Sequence, residues 1–375
     1  MTWQQAKLGD VCEVLRGTTI TQAQARPGSI PVVAGGTAPT YFHDTPNRPG
    51  GTITVSASGA NAGYVNFWDK PIFASDCSTV GTSGHTVDIR FMYHQLRAMQ
   101  QVINGLRTGA AQPHVYAKDI AQLIVAVPPI TEQRRIAAIL DKAEVLRAKR
   151  REALGQLDRL AQSIFVEMFG DPLTNPKGWP RLNLGDLIAS GPQNGLYKPA
   201  SDYGFGTPIL RIDAFYDGVV TGLSTLKRLR VDARELVLYG LHENEIVVNR
   251  VNSPEYLGKS ALIPALPEPV VFESNMMRFA VKTELTTPHY LIAFLQTDFI
   301  KAQIRTAAKD AVNQSSINQQ DVKGFLINLP PLSLQKTFSV RQTAIEGQRL
   351  KHNAAVTQTH HLLASLQHRA FRGEL

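Results

Sequence analysis

The sequence predicts an α+β chain of two mixed globular blocks and two long antiparallel helices, arranged as a pseudo-two-fold internal repeat. Two observations predict this fold class. Proline pairs open two long stretches of helical periodicity, PPITEQ from Pro128 and PPLSLQ from Pro330. Each half opens with a tryptophan and, after the same spacing, the tripeptide Leu-Gly-Asp. The tryptophans are Trp3 and Trp179, and the tripeptides begin at Leu8 and Leu184. Each half is therefore a globular block followed by a long helix, and self-similarity of this kind indicates a duplicated architecture.

Length and composition bound the class of protein. The 375 residues suffice for two or three domains with cores of their own. A net charge of +8 favours a polyanionic partner such as nucleic acid, although many basic proteins have none. No apolar run reaches the roughly 18 residues of a membrane span, and no signal-peptide pattern is present. We expect a cytoplasmic protein without a membrane partner.

The two cysteines, Cys12 and Cys77, are far apart and lack metal-ligand spacing. The histidines form no cluster of the kind that binds zinc. We therefore expect two buried, reduced thiols and no metal site on this chain.

The first block, residues 1–129, is predicted to contain glycine-bounded strands followed by a helix. Residues 51–56 and 63–67 are rich in β-branched or aromatic side chains, which favours strands. Residues 91–106 predict one helix, and residues 120–127 predict a short strand that runs into the double proline. Proline disfavours helical geometry in the residue before it, so the proline pair separates strand from helix.

The two long helices are predicted at residues 130–170 and 332–375. Thr131 and Ser333 occupy equivalent positions just after the proline pairs, and both are residue types that cap helix N-termini. Apolar residues then recur at steps of three and four. Each helix has roughly 38 residues, which is about 57 Å at 1.5 Å per residue. The first helix is expected to end at Gly170, and residues 171–180 form a proline-rich linker to the second block, residues 179–331.

Basic and polar residues interrupt both apolar stripes near mid-helix, around Arg150 and around Lys351. A lone helix of this length cannot bury its apolar stripe. Packing the two helices together as an antiparallel coiled coil brings their polar middles into contact. The alternative is that each helix docks only on its own globular block.

The sequence also lacks the common catalytic motifs. It has no phosphate-binding loop, no dinucleotide-binding glycine pattern and no serine nucleophile motif. It also lacks the Asn-Pro-Pro-Phe type of loop with which amino-methyltransferases hold a flipped base. These absences predict a chain with no catalytic site and no cofactor of its own.

Several segments together carry a resemblance to a known family. They are PPITEQRRIA from Pro128, MFGDP from Met168, the closing AFRGEL from Ala370, GANAGYV from Gly59, and the stretch from Arg250 to Lys259. In this order and spacing they resemble the specificity (S) subunit of type I restriction-modification systems over nearly the whole chain. The second helix departs from the pattern, because it begins Leu-Gln-Lys and lacks the Glu-Gln-Arg-Arg run of the first.

The resemblance implies a non-catalytic role in a larger complex. Each block would be a target recognition domain that reads one half of a split, asymmetric site in double-stranded DNA. The paired helices would set the spacer and dock two methyltransferase (M) subunits, which carry S-adenosylmethionine and methylate adenine N6. Restriction (R) subunits, which use ATP and Mg, would join this core.

Three alternatives stay open at this point. The chain could be a stand-alone DNA-binding or scaffold protein. It could be the specificity subunit of a related methylation-based defence system. It could also be an enzyme, such as a nuclease, whose site has no recognisable motif.

Candidate DNA-contacting residues are the polar and basic side chains in predicted loops, since such side chains read base edges and bind phosphates. For Asn61 and Asn252 a turn-forming role is the stronger interpretation. In the first block the candidates are Ser56, Ser58, Asn61, Tyr64, Arg107, Thr108, Gln112, His114, Tyr116 and Lys118. In the second they are Tyr197, Lys198, Arg250, Asn252, Ser253, Lys259, Asn313, Gln314, Ser315 and Ser316.

Overall fold

Two compact units make up the protein in a computed structural model that describes residues 3–82, 84, 86–109, 111–311 and 314–375. Unit 1 comprises Met1–Ala153 and His352–Leu375, and unit 2 comprises Leu154–Lys351. Each unit therefore contains the first part of one long helix and the last part of the other.

Unit 1 is built on a four-stranded antiparallel sheet in the order β2-β8-β5-β6, with two smaller sheets, β4-β3-β7 and β1-β9. Its strands are β1 Gln5–Lys7, β2 Cys12–Arg16, β3 Ile30–Val33, β4 Tyr41–His43, β5 Thr52–Ser56, β6 Val65–Trp68, β7 Phe73–Ala74, β8 Cys77–Thr82 and β9 Ile124–Ala126. Its helices are α1 Leu8–Val11, α2 Ile89–Ala98, α3 Gln100–Gly105, α4 Ala117–Ile120 and the first part of α5 Ile130–Phe169. The core forms where Ile53, Val55 and Val80 of the sheet meet Met92 and Leu96 of α2.

Unit 2 is built on a six-stranded mixed sheet in the order β11-β20-β16-β18-β14-β13, with three smaller sheets, β15-β12-β19, β17-β22-β21 and β10-β23. Its first strands are β10 Arg181–Asn183, β11 Ile188–Asn194, β12 Tyr203–Leu210, β13 Phe215–Tyr216, β14 Gly218–Val220, β15 Arg228–Leu229 and β16 Ile246–Asn249. The others are β17 Val251–Asn252, β18 Ser260–Leu262, β19 Val271–Phe272, β20 Met276–Val281, β21 Lys309–Ala311, β22 Gln314–Ser316 and β23 Leu326–Asn328. The helices are α6 Leu184–Leu187, α7 Ala233–Tyr239, α8 Pro288–Leu295, α9 Asp298–Ala307, α10 Gln319–Lys323 and the first part of α11 Leu332–Ala370.

The two tryptophans that open the halves have the same role. The indole Nε1 of Trp3 donates to the carbonyl oxygen of Ala370, the last residue of α11, over 3.4 Å. The indole Nε1 of Trp179 donates to the carbonyl oxygen of Phe169, the last residue of α5, over 2.9 Å. Because the last carbonyls of a helix lack partners within it, each tryptophan stabilises a helix end. The repeat read from the sequence is therefore also a repeat of contacts.

The long helices have 40 and 39 residues, about 60 Å each, and run antiparallel as predicted. Within unit 1, Arg150 of α5 donates to the carbonyl oxygen of Ala355 and the hydroxyl of Thr359 on α11. Within unit 2, Arg349 of α11 forms an ion pair with Asp158 of α5 over 3.2 Å. The polar middles predicted from the sequence therefore bind one another.

The predicted capping roles of Thr131 and Ser333 are wrong. Helix α5 already begins at Ile130, and the amide of Gln133 donates to the carbonyl oxygen of Pro129 over 3.1 Å. Helix α11 begins at Leu332, where Pro331 accepts in the same way. Proline can hold this position because the amide it lacks would have had no helical partner.

Three predicted element boundaries also change. The single helix predicted at 91–106 is two helices that meet at Met99, whose ψ of 12° departs from helical geometry. The strand predicted at 120–127 is shorter, because Ile120 ends α4 and only Ile124–Ala126 pairs with β1. Helix α11 ends at Ala370, whereas the predicted helix runs to residue 375.

Candidate nucleic-acid interface

Two polar segments that are distant in sequence lie side by side in unit 1. Residues 56–64 follow β5, and residues 107–118 follow α3. The amide of Val115 donates to the carbonyl oxygen of Ala57 over 2.9 Å, and Ser58 pairs with His114 in an antiparallel bridge. The fold therefore brings the two predicted candidate sets of the first block together.

Unit 2 makes the same pairing. The amide of Ile317 donates to the carbonyl oxygen of Arg250 over 2.9 Å. In the adjoining sheet Val251 lies opposite Ser316, and Asn252 lies opposite Ser315. The candidates at 250–253 and 314–316 are therefore neighbours, as their counterparts are in unit 1.

A tight glycine turn supports this arrangement in both units. The amide of Gly63 donates to the carbonyl oxygen of Ser56 over 2.8 Å, and that of Gly258 donates to the carbonyl oxygen of Asn249 over 3.0 Å. Both glycines adopt positive φ, 85° and 72°. A Cβ on Gly258 would lie 2.3 Å from Cδ1 of Ile304, so the turn leaves no room for a side chain.

These bonds define equivalent positions with different side chains. The shared feature is the backbone, because the same carbonyls and amides are paired in both units. The equivalent pairs are Ser56 with Asn249, Ala57 with Arg250, Tyr64 with Lys259, Val115 with Ile317, and His114 with Ser316.

Three candidates of unit 1 are occupied by internal contacts. The hydroxyl of Ser56 is buried, and that of Ser58 donates to the carboxylate of Asp76. The guanidinium Nε of Arg107 donates to the carbonyl oxygen of Ala62 over 2.7 Å. These side chains shape the surface and hold its loops together.

Other candidates of unit 1 face solvent. Tyr116 is 47% exposed and stacks on His114, with ring centroids 6.1 Å apart. The ammonium of Lys118 lies 5.7 Å from the centre of the Tyr116 ring. Asn61 and Gln112 are exposed, whereas Tyr64 is half-buried beneath Arg97. The exposed group offers one aromatic face, one cation and two amides to a ligand.

Lys259 of unit 2 is enclosed. Its ammonium donates to the carbonyl oxygen of Ile212 over 2.6 Å and lies 3.8 Å from the ring centre of Tyr216. The rings of Phe215 and Tyr256 lie at 4.8 and 5.4 Å. Burial lowers the pKa of this lysine, and nearby carboxylates oppose the effect only in part. These contacts give Lys259 a structural role, because they connect the loop between β17 and β18 to the loop between β12 and β13.

Tyr197 and Lys198 lie beside helix α7. The ammonium of Lys198 binds the carboxylate of Glu235 over 2.7 Å, and this hydrogen bond raises the pKa of the lysine. Tyr197 is 80% exposed. Tyr197 therefore offers an exposed ring in unit 2, and Glu235 neutralises the positive charge of the neighbouring Lys198.

The remaining candidates of unit 2 differ in exposure. The side-chain oxygen of Asn252 accepts from the amide of Ser253 over 2.9 Å, as a turn-forming asparagine does. Gln314 is exposed, Ser316 is half-buried and Ser315 is buried. Asn313 lies outside the described residues.

A polar cavity of about 330 Å³ was not predicted from the sequence. Arg250 is its single cationic lining residue, and the others carry side-chain amides: Asn194, Asn318, Gln319 and Gln320. The two glutamines come shortly after the candidates Asn313 to Ser316 in the sequence, so a longer candidate segment would have included them. Nothing local distinguishes Asn194, which the sheet brings to the cavity from the end of β11.

The long helices carry exposed apolar side chains outside the buried seam. In unit 1 these are Val145, Leu146 and Leu362. In unit 2 they are Leu160, Val166, Val340 and Leu350. Val340 and Leu350 are the most exposed of these side chains, at 72% each.

No group of three or more His, Cys, Asp or Glu residues within the described ranges is arranged to hold a metal ion. In the same part of the chain, no helix combines the length and apolar character that a bilayer span requires.

The chain matches a family model described as the type I restriction modification DNA specificity domain, over residues 1–154 and again over 176–352. It is 27% identical to the StySPI specificity subunit of Salmonella potsdam, over 73% of this chain and 62% of that protein. It is 26% identical to the EcoKI specificity subunit of Escherichia coli, with the same coverage of both proteins. A putative MjaX specificity subunit of Methanocaldococcus jannaschii is 31% identical over 44% of this chain and 38% of that protein. The chain thus spans between 38% and 62% of the length of these relatives.

Two solved structures share the fold. A crystal structure of a type I restriction-modification S subunit from M. genitalium superposes with a TM-score of 0.68 at 14% identity, covering 99% of this chain and 96% of that one. A chain from a study of complex assembly in the type I restriction-modification system superposes with a TM-score of 0.53 at 17% identity, covering 100% and 98%. At these identities the likeness concerns the fold alone.

Proposed function

Because the chain belongs to the type I restriction-modification DNA specificity family, we propose that it is the non-catalytic subunit that chooses the DNA sequence for such a complex. Each unit reads one half of a bipartite site in double-stranded DNA. The relatives named as specificity subunits support this role, and the net charge of +8 suits a phosphate-rich partner.

One observation carries the proposal: the two units keep a single backbone arrangement and vary its side chains. The bonds from Val115 to Ala57 and from Ile317 to Arg250 have the same length, 2.9 Å. Base sequence is read by side chains, whereas a shared backbone serves position and orientation. A protein with two such surfaces and different side chains reads two different half-sites.

The long helices have two roles in this proposal. Each contributes its first part to one unit and its second part to the other, so their length sets the spacer between half-sites. Their exposed apolar residues, Val340 and Leu350 among them, offer a surface for two methyltransferase (M) subunits.

The chemistry belongs to the partner subunits in this proposal. The M subunits carry S-adenosylmethionine and methylate adenine, and restriction (R) subunits with ATP and Mg join the same core. The complex acts on cellular DNA in the cytoplasm. The present chain supplies sequence choice to both reactions.

The test is base-resolution methylation mapping in a host without DNA methylation. The chain is co-expressed with a methyltransferase (M) subunit of the same system, and the same host without the chain is the control. A split motif carrying N6-methyladenine only when the chain is present supports the proposal. A stable complex with no methylated motif contradicts it and favours a scaffold role.

A further inference from the structure

We propose that unit 2 reads a guanine through Arg250, which is the base-specific contact of the polar cavity. This inference rests on the proposed function and deepens it, because it names one base and one side chain.

The backbone of Arg250 is held on both sides. Its amide donates to the carbonyl oxygen of Asn275 over 2.8 Å, and its carbonyl oxygen accepts from Ile317 over 2.9 Å. The side chain therefore starts from a rigid point between two strands. Rigid placement matters because base readout requires both donors of an arginine to meet their acceptors together.

The guanidinium of Arg250 is only partly satisfied. One terminal nitrogen, Nη1, donates to the carbonyl oxygen of Ser274 over 3.3 Å. The Nε atom is shielded from solvent and has no acceptor among the described residues. A shielded donor without an acceptor is unfavourable. The other terminal nitrogen, Nη2, makes no hydrogen bond to the described residues and is not shielded, so it stays available to a ligand together with the second hydrogen of Nη1.

The rest of the cavity selects the class of ligand. Within the described part of the chain, the side-chain amides of Asn194, Gln319 and Gln320 make no hydrogen bonds, and no carboxylate is among the lining residues. Each amide presents a donor and an acceptor, whereas a phosphate offers acceptors only. A nucleobase edge, which offers both kinds of group, matches this lining better than a phosphate does.

Guanine is the base that suits an arginine. In the major groove it presents two acceptors, O6 and N7, side by side, and an arginine fork can donate to both. Adenine presents one acceptor beside one donor, which suits the amide of Asn194 or Gln320 instead. The cavity therefore combines one guanine reader with side chains that suit an adjacent adenine.

Unit 1 cannot make this contact. Its residue equivalent to Arg250 is Ala57, and its residue equivalent to Asn318 is Tyr116, since each begins a short helix after the shared pairing. The proposed guanine therefore belongs to one half-site only. The asymmetry makes the test internally controlled, because the other half of the motif should stay unchanged.

The experiment compares Arg250→Ala, Arg250→Lys and Arg234→Ala in the full chain, each co-expressed with the methyltransferase subunit. Arg234 is exposed on α7, so its replacement removes the same charge from the same unit. Motifs are mapped by methylation, and the yield of complex shows that each variant folds. Binding of each complex to DNA duplexes is then measured at two salt concentrations. The duplexes carry the wild-type motif or a variant in which one base pair of the motif is changed.

We expect both Arg250 variants to lose discrimination at one G·C pair of one half-site, by roughly 5- to 150-fold. The lysine variant keeps most of the affinity for non-specific DNA, because that affinity depends on charge. Arg234→Ala leaves the motif unchanged. Equal weakening on all sequences, with an unchanged motif, would show a phosphate contact and overturn the inference.

An unchanged motif and unchanged binding would also overturn it, while the proposed function would stand. If Arg250→Ala fails to form a complex, Arg250→Lys decides, because it keeps the charge and most of the length of the side chain and lacks the arginine fork. Unchanged discrimination by Arg250→Lys at every base pair of the motif overturns the inference. A wild-type complex that methylates no motif would instead remove the proposed function itself.

Discussion

The side-chain oxygen of Gln133 accepts a hydrogen bond from the backbone amide of Asp88 over 2.8 Å. The same side chain donates through Nε2 to the carbonyl oxygens of Thr86 and Pro128, at 2.9 and 2.7 Å. Asp88 in turn caps helix α2 by accepting from the amide of Phe91. One buried amide therefore joins the start of the long helix α5 to the start of a helix in the globular part of unit 1.

Gln335 makes the equivalent connection in unit 2. Its side-chain oxygen accepts from the amide of Thr287, the cap of α8, over 2.9 Å. Its Nε2 donates to the carbonyl oxygens of Pro330 and Leu285. Neither Gln133 nor Gln335 is exposed to solvent.

Replacing Gln133 or Gln335 with alanine should therefore destabilise the corresponding unit by about 1–3 kcal/mol, because buried backbone groups lose their partners. Urea denaturation of the purified chain measures the change. Gln162→Ala, at an exposed position of α5, is the matched control and should lie within about 0.5 kcal/mol of wild type. If replacing the buried glutamines leaves the urea midpoint unchanged, these side chains do not contribute to the stability of the unit.

Gly258→Ala should weaken recognition of one half-site. A Cβ at this positive-φ position would contact Ile304, and the strain is about 1–3 kcal/mol. Binding to duplexes with either half-site scrambled measures which half is lost. Adding Ile304→Val removes the nearest atom and should restore part of the affinity. Equal loss for both half-sites would contradict the assignment of this turn to one half-site.

Lengthening both long helices should change the spacer and leave both half-sites unaltered. Because the helices are antiparallel, seven residues, or about two turns, are inserted after Ala153 and again before His352. Each insertion adds about 10 Å, or roughly three base pairs. Methylation mapping reads the spacer directly. An unchanged spacer, or different bases in either half-site, would be inconsistent with the helices acting as a ruler.

Alkaline pH should destabilise the protein through its two cysteines. Both are free and buried, as predicted, and burial raises the pKa of each thiol from 9.0 to about 12, helped at Cys77 by the nearby Asp76 carboxylate. The unfolded chain releases these protons from about pH 9, whereas the folded chain retains them. The stabilising contribution is therefore complete below pH 9 and is lost as the pH rises toward 12.

The test compares the urea denaturation midpoints of wild type and of the Cys12→Ala/Cys77→Ala variant from pH 7 to 11. This comparison separates the effect of thiol ionisation from the titration of lysines and tyrosines. The difference between the two proteins should be constant below pH 9 and change above it. A constant difference throughout would show that the thiols ionise equally in both states.

The duplicated layout and the two long helices can be predicted from the amino-acid sequence. Proline pairs, helical periodicity and the tryptophan repeat are local or repeated features, and the structure has the two helices and the antiparallel pairing that they predicted. Strands β5 and β6 were also predictable, because β-branched and aromatic residues between glycines favour strands.

Which side chains remain free to bind depends on contacts that form when the chain folds. Lys259 and Arg107 have the chemistry of DNA-contacting residues, but partners distant in the chain occupy them. Asn194 became part of a cavity because the main sheet carries β11 to Arg250. The physical reason is that local sequence specifies backbone preference and polarity, whereas the availability of a polar group depends on every residue that folding brings within hydrogen-bond distance.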